Sequence, residues 1–188
     1  MIDTKFKVKC TGKMELYGQT FHCWKEKGHG WVSLKNAMKQ SCDTYFYEVS
    51  RLLGVDRLNI TAEKFGLGKK VLGEYFDNEK KGLFPNTKWK KNNLGRGWVL
   101  GETLITGIGQ GYIQSTPLQL CMMTAQIANG GYAIKPKIIV DSNPISYEDA
   151  KQSMESGLLF DSNSDSLLDK KLFKNKKNIK IVQEAMFA

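Results

Sequence analysis

Glycine divides this chain into short segments, and that spacing most limits what it can fold into. Gly54, Gly66 and Gly130-Gly131 each follow a stretch whose apolar residues recur at helical intervals. Glycine past the last turn is a common helix stop, because it enters the left-handed region without a Cβ penalty. The spacing predicts a helix from Ser33 to Gln40, with Leu34, Ala37 and Met38 on one face. A second follows Ser41-Cys42-Asp43 and runs to Leu53, with Phe46, Val49, Leu52 and Leu53 as its apolar stripe, and a third spans Asp56 to Phe65. Ser115-Thr116-Pro117 is a further start signal, a hydroxyl cap with proline at the first helical position, opening a helix through Leu118, Met122, Ala125 and Ile127. Strand and turn chemistry is confined to residues 5–24, where Phe6 and Val8 alternate with Lys, and to Ile134–Val140. Ile179 opens a last amphipathic segment. The expectation is a mostly helical chain with few strands.

Between these elements lie two irregular stretches. Residues 66–98 hold six Gly, Pro85 and two Trp, and read as a functional or partner-facing loop. Residues 141–178 are rich in Ser, Asn, Asp and Lys with little periodicity, and read as a flexible insertion. The 188 residues suit one domain or a large piece of one, and no apolar run approaches the roughly 18 residues of a membrane span. No signal-peptide pattern opens the chain. The net charge is +9: residues 1–140 carry 21 basic against 11 acidic side chains, net +10, and residues 141–188 carry 7 against 8, net −1. A basic body of this kind meets nucleic acid, an anionic surface or an anionic polymer, or is simply a solvated Lys-rich surface; the scatter of the lysines favours the last.

Few residues offer chemistry. There is no Gly-x-Ser-x-Gly elbow, and only two His are present. Ser41-Cys42-Asp43, between two helices, is the remaining serine site, although a helix cap would by itself explain a Ser-x-Asp there. Gly107-Ile108-Gly109-Gln110-Gly111 lacks the Gly-Lys-Ser/Thr of a phosphate loop and reads as a structural turn. Lys88-Trp89-Lys90-Lys91 could stack a base or a sugar, or form a solvated loop with one anchoring Trp. Cys121 falls on the apolar face of the Pro117 helix, as a core thiol. The other three cysteines surround one imidazole as Cys10-x12-Cys23-x5-His29-x12-Cys42. Three thiolates and an imidazole are a tetrahedral zinc set. A Cys10–Cys23 disulfide and three unrelated buried thiols remain open alternatives.

Taken in order, Phe21-His22-Cys23-Trp24, Gly28-His29-Gly30, Ser41-Cys42-Asp43-Thr44-Tyr45-Phe46-Tyr47, Gly54-Val55-Asp56-Arg57-Leu58, Lys64-Phe65-Gly66-Leu67-Gly68, Gly82-Leu83-Phe84-Pro85-Asn86, Gly107 to Tyr112, Thr116-Pro117-Leu118-Gln119 and Asn129-Gly130-Gly131 resemble the penicillin-binding protein transpeptidases, and within them the elongation-type class B group known as penicillin-binding protein 2. The resemblance covers roughly residues 8–140. It implies an α/β (α+β) fold shared with serine β-lactamases, a sheet flanked by helices plus a helical subdomain, of which residues 1–188 form an incomplete part. It also implies peptidoglycan D,D-transpeptidase activity through a serine acyl-enzyme, with stem peptides and β-lactams as ligands and no cofactor for the chemistry.

Ser41-Cys42-Asp43 matches the second of the family's three motifs. By resemblance Ser41 and Asp43 are catalytic: the Ser41 hydroxyl joins a proton relay with the motif-one Lys, and Asp43 positions that Lys and the donor peptide. Neither Ser-x-x-Lys nor Lys-Ser/Thr-Gly occurs in the sequence. The nucleophile is expected before Met1 and the third motif after Ala188, so the chain alone is expected to be inactive. Some members of the family hold a metal beside the second motif with a mixed Asp/His/Cys set, which favours a structural zinc on Cys10, Cys23, His29 and Cys42. Membrane proteins of the elongation complex are the implied partners, and the periplasmic face of the bacterial inner membrane the implied location, the anchor lying outside this chain. A basic zinc-stapled nucleic-acid-binding module, and a serine β-lactamase or β-lactam sensor, are the competing readings. Phe-x-Cys-Trp and Gly-Ile-Gly-Gln-Gly favour the transpeptidase.

Overall fold

The computed structural model describes residues 3–73, 77–136 and 171–187. Four short strands come first: β1 (Lys7–Cys10), β2 (Lys13–Leu16), β3 (Gln19–His22) and β4 (Gly30–Ser33). They pair antiparallel as β1 with β4 and β2 with β3, giving two separate two-stranded sheets. Alternation along β1 turns Lys7 and Lys9 to solvent and buries Cys10. The register sets Cys10 opposite Gly30 and Val8 opposite Val32, so β1 and β4 present one apolar face to the helices.

Seven helices follow among the described residues: α1 (Leu34–Lys39), α2 (Asp43–Leu53), α3 (Val55–Lys64), α4 (Thr87–Leu94), α5 (Leu100–Gly107), α6 (Pro117–Ala128) and α7 (Lys176–Met186). The mostly helical expectation holds, as do the stop at Gly54 and the proline-led start of α6. Thr116 Oγ1 accepts from Gln119 N–H at 3.2 Å and Gln119 Oε1 accepts from Thr116 N–H at 2.9 Å, a reciprocal cap. Ser33 precedes α1 as expected, but its hydroxyl makes no capping bond.

The core lies between the first sheet and α2. Cys10, Cys23, Val32, Ala37, Cys42 and Tyr45 form one buried cluster, with Phe6, Val8, Leu34, Phe46 and Val49 packed against it. The buried side of α2 is therefore Thr44, Tyr45, Tyr47 and Ser50, and Leu52 of the expected apolar stripe is exposed. The cause is the neighbours of α2: sulfur atoms on one side, which suit a hydroxyl, and a glycine on the other. Gly107 of α5 approaches so closely that a Cβ there would sit 1.7 Å from Ser50 Oγ.

Residues 66–98 are less irregular than expected, because α4 lies inside them. Asn86 Oδ1 accepts from Trp89 N–H at 2.7 Å to open it, and Gly95, at φ 65°, closes it. That cap-and-glycine pair was the missed signal. Lys88-Trp89-Lys90-Lys91 is thus helix and not loop. Lys90 is buried and ion-pairs with Glu102 of α5. Burial pushes the Glu102 carboxyl up, but bonds from Lys90, the Val99 N–H and the Tyr112 hydroxyl outweigh it and hold the group below the ordinary carboxylate range. The preceding loop is tied down by Gln119, whose fully buried amide donates to Lys69 O at 2.6 Å and Lys81 O at 2.8 Å.

Cys121 departs from expectation: it is exposed on α6 rather than in the core. The buried face of α6 is Gln119, Met122 and Gln126, whose amides bond to loop carbonyls that side-chain patterning could not anticipate. The expected strand Ile134–Val140 lies outside the described residues from 137 on, and 134–136 are not strand. The expected insertion, 141–178, lies outside them up to residue 170. From there Lys171 forms a bridge with Tyr132, and α7 begins at Lys176.

The α2–α5 contact yields the first prediction. Gly107→Ala should lower stability by about 1–3 kcal/mol through overpacking against Ser50. Gly97→Ala, where a Cβ meets nothing within 4 Å, should change it by less than about 0.5 kcal/mol. Urea denaturation of the two variants checks the difference.

Candidate active-site turn and thiol–imidazole cluster

Four donors meet at the junction of sheet and helices. The ligand atoms of Cys10, Cys23, His29 and Cys42 all lie within 4.8 Å of one another. Cys10 arrives at the end of β1 and Cys42 at the start of α2. Cys23 and His29 come from the loop between β3 and β4, which folds back over the end of β1. Gly28 makes that return possible: at φ 75° it occupies the left-handed region, and a Cβ there would lie 2.2 Å from Cys10 O. Gly12 does the same on the other flank, against Glu26 O at 1.9 Å.

The imidazole is oriented by the sulfurs. His29 Nδ1 is 3.5 Å from Cys10 Sγ and 3.6 Å from Cys23 Sγ. His29 Nε2 is buried and has no hydrogen-bond partner among the described residues. All three cysteines are free thiols, buried to 3% exposure or less. Their acidities are driven apart. Burial pushes Cys10 up, but its hydrogen bonds with the Thr44 hydroxyl, the His29 ring and backbone N–H groups outweigh it and bring the thiol down to about 6. Burial, with Cys10 and Cys23 nearby, pushes Cys42 up to about 12. Three buried thiolates cannot coexist here without a cation to neutralise them.

Cys42 joins this cluster to the second expected site. Ser41, Cys42 and Asp43 sit at the turn between α1 and α2, as the sequence predicts, with Cys42 facing inward and Ser41 exposed. Ser41 has φ 51°. A non-glycine residue in the left-handed region costs about 1–2 kcal/mol, and such strain concentrates where function requires it. The turn is held by Cys42 N–H to Ala37 O at 2.9 Å and Ser41 N–H to Met38 O at 3.3 Å. Asp43 Oδ2 accepts from Trp24 N–H at 3.0 Å. Ser41 and Asp43 line an open cleft of about 290 Å³ with Met38, Phe46 and Ile108.

All six expected site residues are therefore adjacent, in two groups that share Cys42. Two contributors escaped the sequence reading. Thr44, whose Oγ1 is 3.3 Å from Cys10 Sγ, follows the motif by one residue, but nothing in its identity signals a sulfur partner. Trp24 stood inside the Phe-x-Cys-Trp signature without a role.

The comparisons with known proteins point one way. Residues 1–187 match the penicillin binding protein transpeptidase domain. The chain is 38% identical to the peptidoglycan D,D-transpeptidase MrdA of Acinetobacter baumannii over 141 residues, 74% of this chain and 21% of that protein. Against MrdA of Escherichia coli K12 the identity is 34% over 129 residues, 69% of this chain and 20% of the relative. The chain thus spans about a fifth of the length of these relatives. Its fold superimposes on Pseudomonas aeruginosa PBP2 with a TM-score of 0.79 at 34% identity, covering 98% of this chain and 37% of that one. Helicobacter pylori PBP2, solved in complex with MreC, gives a TM-score of 0.79 at 27% identity over 100% of this chain and 31% of that one.

The strain at Ser41 can be measured. Ser41→Gly should raise stability by about 0.5–1 kcal/mol, since glycine removes the left-handed penalty and gives back part of the gain as unfolded-state entropy. A rise in the urea midpoint at constant slope is the expected observation.

Proposed function

This chain belongs to the penicillin-binding protein transpeptidase family, and from that premise we propose that it is part of a peptidoglycan D,D-transpeptidase in which Ser41-Cys42-Asp43 is the second catalytic motif. The observation that carries this reading is the seat of Ser41: exposed, in the left-handed region, on an open cleft, with Asp43 fixed two residues on.

A serine nucleophile at neutral pH needs its proton removed as it attacks and returned to the leaving group. A hydroxyl can do both halves of that transfer, accepting on one lone pair while donating from its own O–H. Ser41 Oγ, exposed at the turn, is such a relay. Asp43 is anchored through Oδ2 by Trp24, and its Oδ1, without a hydrogen bond among the described residues, can orient a lysine ammonium or a substrate amide. Met38, Phe46 and Ile108 supply the apolar wall against which a stem peptide or β-lactam would lie. Neither the Ser-x-x-Lys nor the Lys-Ser/Thr-Gly motif occurs in the 188 residues. The attacking serine of the family's mechanism is therefore not among them.

Cys10, Cys23, His29 and Cys42 are read as ligands of one zinc ion. Bond lengths of about 2.3 Å to sulfur and 2.0–2.1 Å to nitrogen at tetrahedral angles put sulfur and nitrogen about 3.6 Å apart. The distances of 3.5 and 3.6 Å from His29 Nδ1 to two sulfurs match that edge. Bound there, zinc would supply folding energy and no reaction step, since protein donors fill all four positions. The four side chains themselves tie the loop of residues 23–29 and the end of β1 to the turn carrying Ser41.

In the complete enzyme this region belongs on the periplasmic face of the inner membrane. Among the described residues no helix is long and apolar enough to cross a membrane. The MreC-bound Helicobacter pylori structure supports an elongation-complex protein as partner.

Two measurements test these assignments. In a complete transpeptidase carrying this segment, Ser41→Ala should slow acylation by fluorescent penicillin about 10²-fold or more without lowering the unfolding midpoint, and the 188-residue chain alone should take no label above a denatured control. Protein purified without chelator should carry one zinc per chain, lost in Cys42→Ser. A stoichiometry near zero would discard the zinc, and a Cys10–Cys23 disulfide on mass mapping would put the disulfide in its place.

A further inference from the structure

Trp24 belongs to neither the ligand set nor the Ser41-Asp43 pair, yet it bonds to both sides of the turn between them. Its indole N–H donates to Gln40 O at 3.0 Å. Gln40 ends α1, and its carbonyl is among those a helix terminus leaves without an intrahelical partner. The backbone N–H of Trp24 donates to Asp43 Oδ2, also at 3.0 Å, at the first residue of α2. The two bonds straddle Ser41-Cys42. On its other side Trp24 follows Cys23 in the chain, and its ring meets the His29 ring edge-on at 5.4 Å between centroids. It is thus attached to two of the four cluster donors and to both ends of the catalytic turn.

Burial does not account for this placement, because Trp24 remains 64% exposed. An indole left largely in water gains little from the hydrophobic effect. What fixes it is its donor, which satisfies a helix-end carbonyl beside a strained residue. Released from that bond, the end of α1 could relax and Ser41 could leave the left-handed region.

We propose that Trp24 is a positioning residue for the transpeptidase reaction, clamping the carbonyl end of α1 through its indole N–H so that the Ser41 hydroxyl is held where proton transfer needs it. The proposal rests on the reading of Ser41 and Asp43 as the second motif. It assigns to the indole N–H alone an effect on the acylation step that is separate from β-lactam binding and from global folding.

The test uses a complete transpeptidase carrying this segment, with Trp24→Phe and with Trp24 replaced by benzothienylalanine, which keeps the bicyclic ring and lacks the N–H. Fluorescent penicillin kinetics separate the binding constant from the acylation rate constant. Hydrogen exchange at the Ser41 and Cys42 amides, bonded to Met38 O and Ala37 O, reports the turn directly. Both variants should acylate about five- to tenfold more slowly, the scale of one hydrogen bond, with binding changed less than about twofold. Exchange at the two amides should quicken, while zinc content and the unfolding midpoint stay at their unsubstituted values. An unchanged acylation rate or unchanged exchange in the benzothienylalanine protein overturns the positioning role, whatever Trp24→Phe does to folding. Ser41→Ala in parallel separates the two readings. If it slows acylation and the Trp24 variants do not, only the clamp is wrong; if Ser41→Ala also acylates normally, the motif assignment falls and the clamp with it.

Discussion

Three thiols and an imidazole occupy the place where a domain of this size would ordinarily bury leucine and phenylalanine. The cluster of Cys10, Cys23, His29 and Cys42 is not an addition to the core between β1, β4 and α2. It is much of that core, closed by Val32, Ala37 and Tyr45. The donors come from three pieces of backbone, the end of β1, the loop between β3 and β4 and the start of α2, so the position of each neighbouring element depends on the four remaining together. The opposed acidities of Cys10 and Cys42 express the same constraint electrostatically: buried thiolates accumulate only if a positive charge neutralises them.

From that centre the structure extends by close contacts and not by bulk. Cys42 ties the cluster to the turn presenting Ser41 and Asp43. Ser50, two turns along α2, accepts Gly107 of α5 against its side chain. Glu102 of α5 holds Lys90 of α4, and Asn86 at the head of α4 donates to Asn59 of α3 at 3.2 Å. Side-chain amides finish the assembly: buried Gln119 on the loop before α4, buried Gln126 on Phe65 O at 3.0 Å, and part-buried Gln183 of α7 on Ile127 O at 2.8 Å. Side-chain amides in this role satisfy carbonyls at helix ends and turns that no ladder can reach.

Such an architecture explains how the Ser41 turn stays strained. A left-handed serine between two helices survives only if both helices are fixed from outside the turn. Here the cluster grips Cys42 from within, Trp24 bridges Gln40 and Asp43 from the surface, and α5 backs α2. Rigid support behind an exposed hydroxyl is what the proposed proton relay at Ser41 would require.

Features that depend on neighbours a few residues away could be read from the chain alone. The stop at Gly54, the Thr116-Pro117-Gln119 start of α6, the placing of Ser41-Cys42-Asp43 between helices and the order of the family motifs were all legible, because caps and helix periods act over three or four residues. Asn86 and Gly95 carried the same local information for α4 and were passed over for the glycine around them. The spacing of Cys10, Cys23, His29 and Cys42 named a donor set, with a disulfide and separate thiols left open beside the favoured zinc. That the four converge is a product of folding, because convergence depends on the β1–β4 register opposing Cys10 to Gly30 and on the loop return at Gly28. Folding alone also dictates that Cys121 faces solvent, that Lys90 is buried against Glu102, that Ser50 and not Leu52 faces inward on α2, and that Trp24 spans the turn. Each of these joins residues brought together by the packing of separate elements, and a side chain carries no mark of a partner that only folding supplies.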